Sequence, residues 1–220
     1  MSYPEGGAAL ERVLRLLKLV KVEDFKVGFE RLRQAKLEQA DEDVYPYKYS
    51  AFETRRMQPD GVLPSSYYVL TARLSFQEAL RVRLNEIGID LFNLPGIVYF
   101  EVGDKLRGLV PPIIEVYPEP EFSGQTVASL QDGLHRMFMA KTIGGVPQTY
   151  IVIENADRRY LPYAIPNSWD EVHVYENVPF LKKRFRQVDK PYSNMRPLCS
   201  LFDPDMDVVW ADYGRAPGSH

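Results

Sequence analysis

Apolar residues recur at three- and four-residue steps in the first stretch of the chain. Leu10, Val13, Leu14, Leu17 and Val20 alternate with Arg12, Arg15, Lys18 and Lys21, the signature of an amphipathic helix. With Phe25, Phe29 and Leu32 continuing the stripe, the spacing predicts helix from Ala8 to Ala40. Asp41–Pro64 is polar and broken by Pro46, Pro59 and Pro64, and reads as a connecting loop. Tyr67–Thr71 has strand character. Ser75 and Glu78 are spaced as a capping box, predicting a helix through Leu80, Leu84 and Ile87 that ends at Gly88.

After Leu94-Pro-Gly96 the period shortens. Ile97–Val102, Ile113–Tyr117, Thr126–Leu130 and Thr149–Ile153 read as strands rich in β-branched residues. Asp132–Ile143 is a helical stretch between the last two, which gives a unit of βαβ size. Beyond Pro162 the chain is richer in proline and aromatics, with a short basic helix expected around Phe180–Arg186. The predicted class is α/β in the α+β sense. A small mixed sheet over 95–160 follows a helical region over 1–94 and precedes a carboxy-terminal lobe over 161–220.

The chain has 220 residues, 45% of them hydrophobic, and a formal net charge of −3. That composition folds, and its charge argues against a protein that coats DNA over its whole surface. A single cysteine, Cys199, excludes a disulfide framework and any multi-cysteine metal site. No uncharged run exceeds 12 residues, short of the roughly 20 a spanning helix needs. The start of the chain lacks a basic and then apolar leader. A cytoplasmic protein without a membrane partner is the expectation, and the helical first third offers a face for homodimerisation.

The segment Thr126–Ala140 holds the candidate chemistry. A strand runs into Gln131-Asp-Gly-Leu-His-Arg136, from which a helix starts. Asp132 is a good N-cap residue, and Gly133 would let a ligand come close to the backbone. The first amides of the helix have no partner within it and, with the helix dipole, favour a phosphate or carboxylate. His135 and Arg136 would add charge-assisted donors. Residues Gln131, Asp132, Gly133, Leu134, His135 and Arg136 are thus a candidate phosphate-binding set. The plainer alternative is a capped helix with a surface arginine and a packed histidine.

Asp-Gly-x-His-Arg-x-x-x-Ala, entered from a strand, resembles the signature of the ParB/sulfiredoxin superfamily. The related box is Gly-Glu-Arg-Arg in partition proteins, Gly-Gly-Cys-His-Arg in sulfiredoxin and Asp-Gly-His-His-Arg in the free serine kinases. The resemblance covers about Pro95–Asn155 and implies a small mixed α/β core that binds nucleotide phosphates, with ATP or ADP and Mg²⁺ as cofactors. It implies phosphoryl transfer to a small hydroxyl acceptor, or nucleotide hydrolysis, by a nucleotide-dependent phosphotransferase or phosphohydrolase. Arg136 would then stabilise developing charge beside His135. Glu101 or Asp104, after the strand upstream, would act as base or hold the metal. Leu134 stands where sulfiredoxin has its nucleophilic cysteine, so sulfinic acid reduction is not expected.

A second function class remains open, a ParB-like module that binds DNA or RNA. Lys182, Lys183, Arg184 and Arg186 form a basic patch interleaved with Phe180, Phe185 and Tyr192, a mixture suited to phosphate contact and base stacking. The same residues also suit a solvated face. Gly103–Gly108 has P-loop glycine spacing but no Lys-Ser/Thr after it. Asp203-Pro-Asp-Met-Asp207 lacks the glycine and the final glutamate of a calcium loop. The three histidines, His135, His173 and His220, are too scattered to suggest zinc. No metal ligand is assigned.

Overall fold

The computed structural model describes residues 17–37, 42–102, 105–186, 198 and 201–202, and the mixed α+β class holds. The centre is a four-stranded sheet in the order β2 (Ala51–Met57), β8 (Gln148–Glu154), β6 (Ile113–Glu119), β7 (Gln125–Asp132). β6 and β8 are parallel, and the two outer pairings are antiparallel. β8 alternates cleanly: Tyr150 and Val152 pack in one cluster with Ile114, Leu130 and Met137, while Ile151 and Ile153 pack in another with Tyr47 and Ile113. Burial on both faces explains its unbroken apolar run.

A second, antiparallel sheet has β1 (Lys18–Glu23), β4 (Ile97–Val102) and β5 (Lys105–Leu109). Helix α1 (Phe25–Arg33) follows β1. Helix α2 (Thr71–Glu86) follows the short β3 (Tyr68–Leu70), and α3 (Leu134–Thr142) follows β7. Met139 and Ala140 of α3 pack with Leu80 and Leu84 of α2 and with Val98 and Phe100 of β4. Two small pairs complete the fold. β10 (His173–Tyr175) is parallel to β3, and β11 (Arg184–Phe185) is antiparallel to β9 (Ala164–Ile165).

Several local expectations are corrected. Lys18–Glu23 is strand rather than helix, because Asp24 accepts a hydrogen bond from the Lys26 amide at 2.8 Å and starts α1 afresh; residues 1–16 lie outside the described set. The segment read as loop over 41–64 contains β2, an edge strand whose exposed face carries charge and so shows no apolar alternation. Ser75 falls inside α2, which starts at Thr71, although Gly88 does end the helix with φ +78°. β7, α3 and β8 are not a parallel βαβ unit, since β6 lies between the two strands and β7 runs antiparallel to it. Arg184–Phe185 is extended rather than helical, held on β9.

Candidate functional site

The turn after β7 is built by one backbone conformation. Gly133 adopts φ +95°, ψ +18°, the left-handed region, where a side chain is strained. A Cβ there would also sit 2.8 Å from Pro112, just ahead of β6. Gly133 is therefore the N-cap of α3, and Asp132, expected in that role, is the last residue of β7. No side chain caps the helix. Its first helical bond is Met137 N–H to Gly133 carbonyl, at 3.0 Å, so the amides before it have no partner along the helix.

Arg136 points inward from this first turn. It is 6% exposed, and Nη2 donates to the Val110 carbonyl at 2.6 Å. Nε and Nη1 are buried and have no hydrogen-bond partner among the described residues. Burial pushes its pKa down to about 10, against the opposing charge of Asp132. Asp132 is raised by its own burial, with Arg136, Lys183 and Arg73 pulling the other way. Asp132 thus feels the charges of Arg136, Lys183 and Arg73. On β8, Gln148 is fully buried with its side chain near the Tyr150 hydroxyl, and among the described residues neither group makes a well-formed hydrogen bond. Burial raises the Tyr150 phenol above its ordinary value.

His135 has a different task from the one expected. Its Nε2 accepts the Leu70 N–H at 3.1 Å, and burial, then the charge of Arg73, push its pKa down to about 3. It is neutral, so it brings no positive charge to an anion, and its ring proton sits on Nδ1. Gln131 turns back along β7, with Nε2 donating to Ser129. Leu134 packs partly buried against the cluster holding Tyr150.

Of the two expected carboxylates, the described one, Glu101, is not brought to the turn. Glu101 shares the face of β4 that carries Ile97 and Tyr99, opposite the face packed on α3, and pairs with Lys18 at 3.6 Å. Asp104 lies outside the described residues, as do Cys199, Tyr192, His220 and the Asp203–Asp207 motif. No three His, Cys, Asp or Glu side chains gather as metal ligands among the described residues. A cavity of about 250 Å³ lined by Tyr117, Thr126, Asn155 and Arg158 opens at the other end of the sheet from α3.

The basic patch divides. Arg186 forms a two-pronged ion pair with Glu119 at 2.8 and 2.5 Å, and Arg184 meets Glu121 at 3.0 Å. Lys183 donates to the Tyr163 hydroxyl at 2.6 Å and is near enough for Asp132 to feel its charge. Lys182 is exposed. Two of the four cations are therefore matched by acids, and one acts on Asp132 through its charge. Sequence reasoning missed Arg73, Gln148 and Tyr150. The last two had one signal, polar groups on the inward parity of an otherwise apolar strand.

Here a mixed sheet delivers a glycine turn and a buried arginine to a helix start. The family model of the ParB CE domain matches residues 28–173, well over half of the chain, and the chain belongs to that family. The match runs from α1 into β10, past both ends of the stretch 95–160. No curated protein and no solved structure matches the chain. Among the described residues no helix is long and apolar enough to cross a membrane.

Proposed function

We propose that the start of α3 is the phosphate site of a ParB-type module, and that its ligand is a nucleotide. Arg136 carries this reading. A buried guanidinium with two unused donors is costly, since an unmet buried donor costs about 1–3 kcal/mol and a charged one more. A phosphate above the uncapped helix end would meet those donors and the first-turn amides together. Arg73 and Lys183 add positive charge that reaches Asp132.

These groups suit binding and the stabilisation of charge on a transferring phosphoryl group. For phosphoryl transfer or hydrolysis a base is also required. Glu101 faces away, and Asp104 is the remaining carboxylate of that pair. The described residues do not form a cage for Mg²⁺. They fit a nucleotide phosphate better than a resident metal.

Calorimetric titration of the full chain with ATP and ADP tests the reading. Lys183→Ala is expected to weaken binding about tenfold, the scale of one charge-assisted contact, without unfolding the protein. Unchanged affinity would overturn it.

The nucleic-acid alternative is favoured by the adjacent Lys182 and Lys183, the second of which acts on Asp132 through its charge, and disfavoured by the pairing of Arg184 and Arg186 with acids. On that alternative, retention of DNA falls with salt, and Lys183→Ala lowers the salt slope by about one.

A further inference from the structure

The segment between β10 and β11 is tied at both ends to one short stretch of chain. At its start Tyr175 lies opposite Leu70, and the Thr71 hydroxyl is within reach of the Tyr175 carbonyl (3.3 Å) and the Glu176 carboxylate (3.0 Å). At its end the Lys182 carbonyl accepts from the Tyr67 N–H at 3.0 Å and from the Ser66 hydroxyl at 3.2 Å. Leu70, in that same stretch, is the residue whose N–H reaches His135 in the first turn of α3. The loop 176–181 therefore rises from the rim of the candidate phosphate site.

Phe180 stands on this loop fully exposed, followed by the exposed Leu181 and by Lys182 and Lys183. Its neighbour in the basic patch, Phe185, is used internally, stacked on Tyr163 with ring centroids 5.8 Å apart. A bare aromatic ring beside two lysines in sequence, on a loop anchored to the stretch that contacts the first turn of α3, has the elements that hold a nucleotide unit, a π-face for the base and positive charge for the phosphate.

We propose that Phe180 is a stacking platform for a nucleobase whose phosphate sits on the start of α3. The ligand is a nucleotide unit, presented as a free nucleotide or within a single strand. The inference rests on the phosphate reading above. Stacking needs only a π-face, so recognition by Phe180 tolerates any base.

The test uses the full chain with Phe180→Ala and Phe180→Trp, both at a solvated position where folding is not at stake. Three probes are titrated: pyrophosphate, ATP and an oligo(dT) of about 15 nucleotides. Phe180→Ala is expected to weaken ATP or oligo(dT) by roughly tenfold and to leave pyrophosphate unchanged. Phe180→Trp retains the affinity, and its fluorescence is quenched on binding. Loss confined to oligo(dT) assigns the strand as ligand, and loss for ATP assigns the free nucleotide. If pyrophosphate binds while Phe180→Ala leaves ATP and oligo(dT) affinities within about twofold, the stacking role is overturned and the phosphate site stands. If none of the three probes binds, both fall. Binding of Phe180→Trp to anionic lipid vesicles, with no quenching by nucleotide, would also overturn the stacking role.

Discussion

Replacing His135 by glutamine isolates the acid sensitivity that the α3 turn imposes on the fold. The ring is neutral in the folded protein, with its pKa near 3, whereas an unfolded histidine titrates at about 6.5. A pKa depressed by folding contributes stability that is complete above the unfolded value and lost as pH falls toward the folded one. Between about pH 7.5 and pH 5 the unfolded chain takes up this proton and the folded chain does not, which costs the fold about 2 kcal/mol. Glutamine keeps an acceptor for the Leu70 N–H but cannot titrate. Asp132, raised by burial, also titrates on the acid side, but it does so in both proteins and cancels in the difference. Urea unfolding of both proteins at the two pH values is the assay. The wild type should lose about 2 kcal/mol more than His135→Gln on acidification. Equal losses would refute the buried, neutral histidine.

Other substitutions probe the frame of the site. Gly133→Ala places a side chain at φ +95° against Pro112, and should destabilise the protein by about 2–4 kcal/mol in urea titration. Arg186→Ala strips the buried Glu119 carboxylate of its ion-pair partner and leaves it the Tyr117 hydroxyl and the Glu121 N–H, with an expected cost of about 3 kcal/mol, while replacing both Arg186 and Glu119 with leucine recovers much of it. Gly108→Ala drives a methyl group into the Phe202 backbone. Hydrogen exchange should report Phe202 loosened from β5 in that variant.

The legible parts of the fold were those whose periodicity faces a core. β4, β6, β7 and β8 were read to within a residue or two, because Ile113, Ile114, Ile151 and Val152 are buried and leave an apolar signature. β2 was missed since Glu53, Thr54, Arg55 and Arg56 on an edge strand need no apolar face. β1 reads as helix in the sequence because Leu17 and Val20 happen to keep a helical step with Leu10 and Leu14, and only Asp24 marks the break. At the site, the left-handed glycine and the inward arginine were findable from Asp-Gly-x-His-Arg. The approach of Arg73 and Lys183 was not, since both arrive through non-local pairings, β3 with β10 and β9 with β11. Nor could spacing show that Glu101 sits on the far face of β4, because a strand reverses face at every residue.

Amide and guanidinium NMR spectra recorded while pyrophosphate and then ATP are added test the central claim most directly. The account predicts saturable shifts at the backbone N–H groups of Leu134, His135 and Arg136 and at the Arg136 Nε–H, absent in Gly133→Ala. Shifts confined to the cavity around Tyr117 and Arg158, with the α3 turn unmoved, would contradict it.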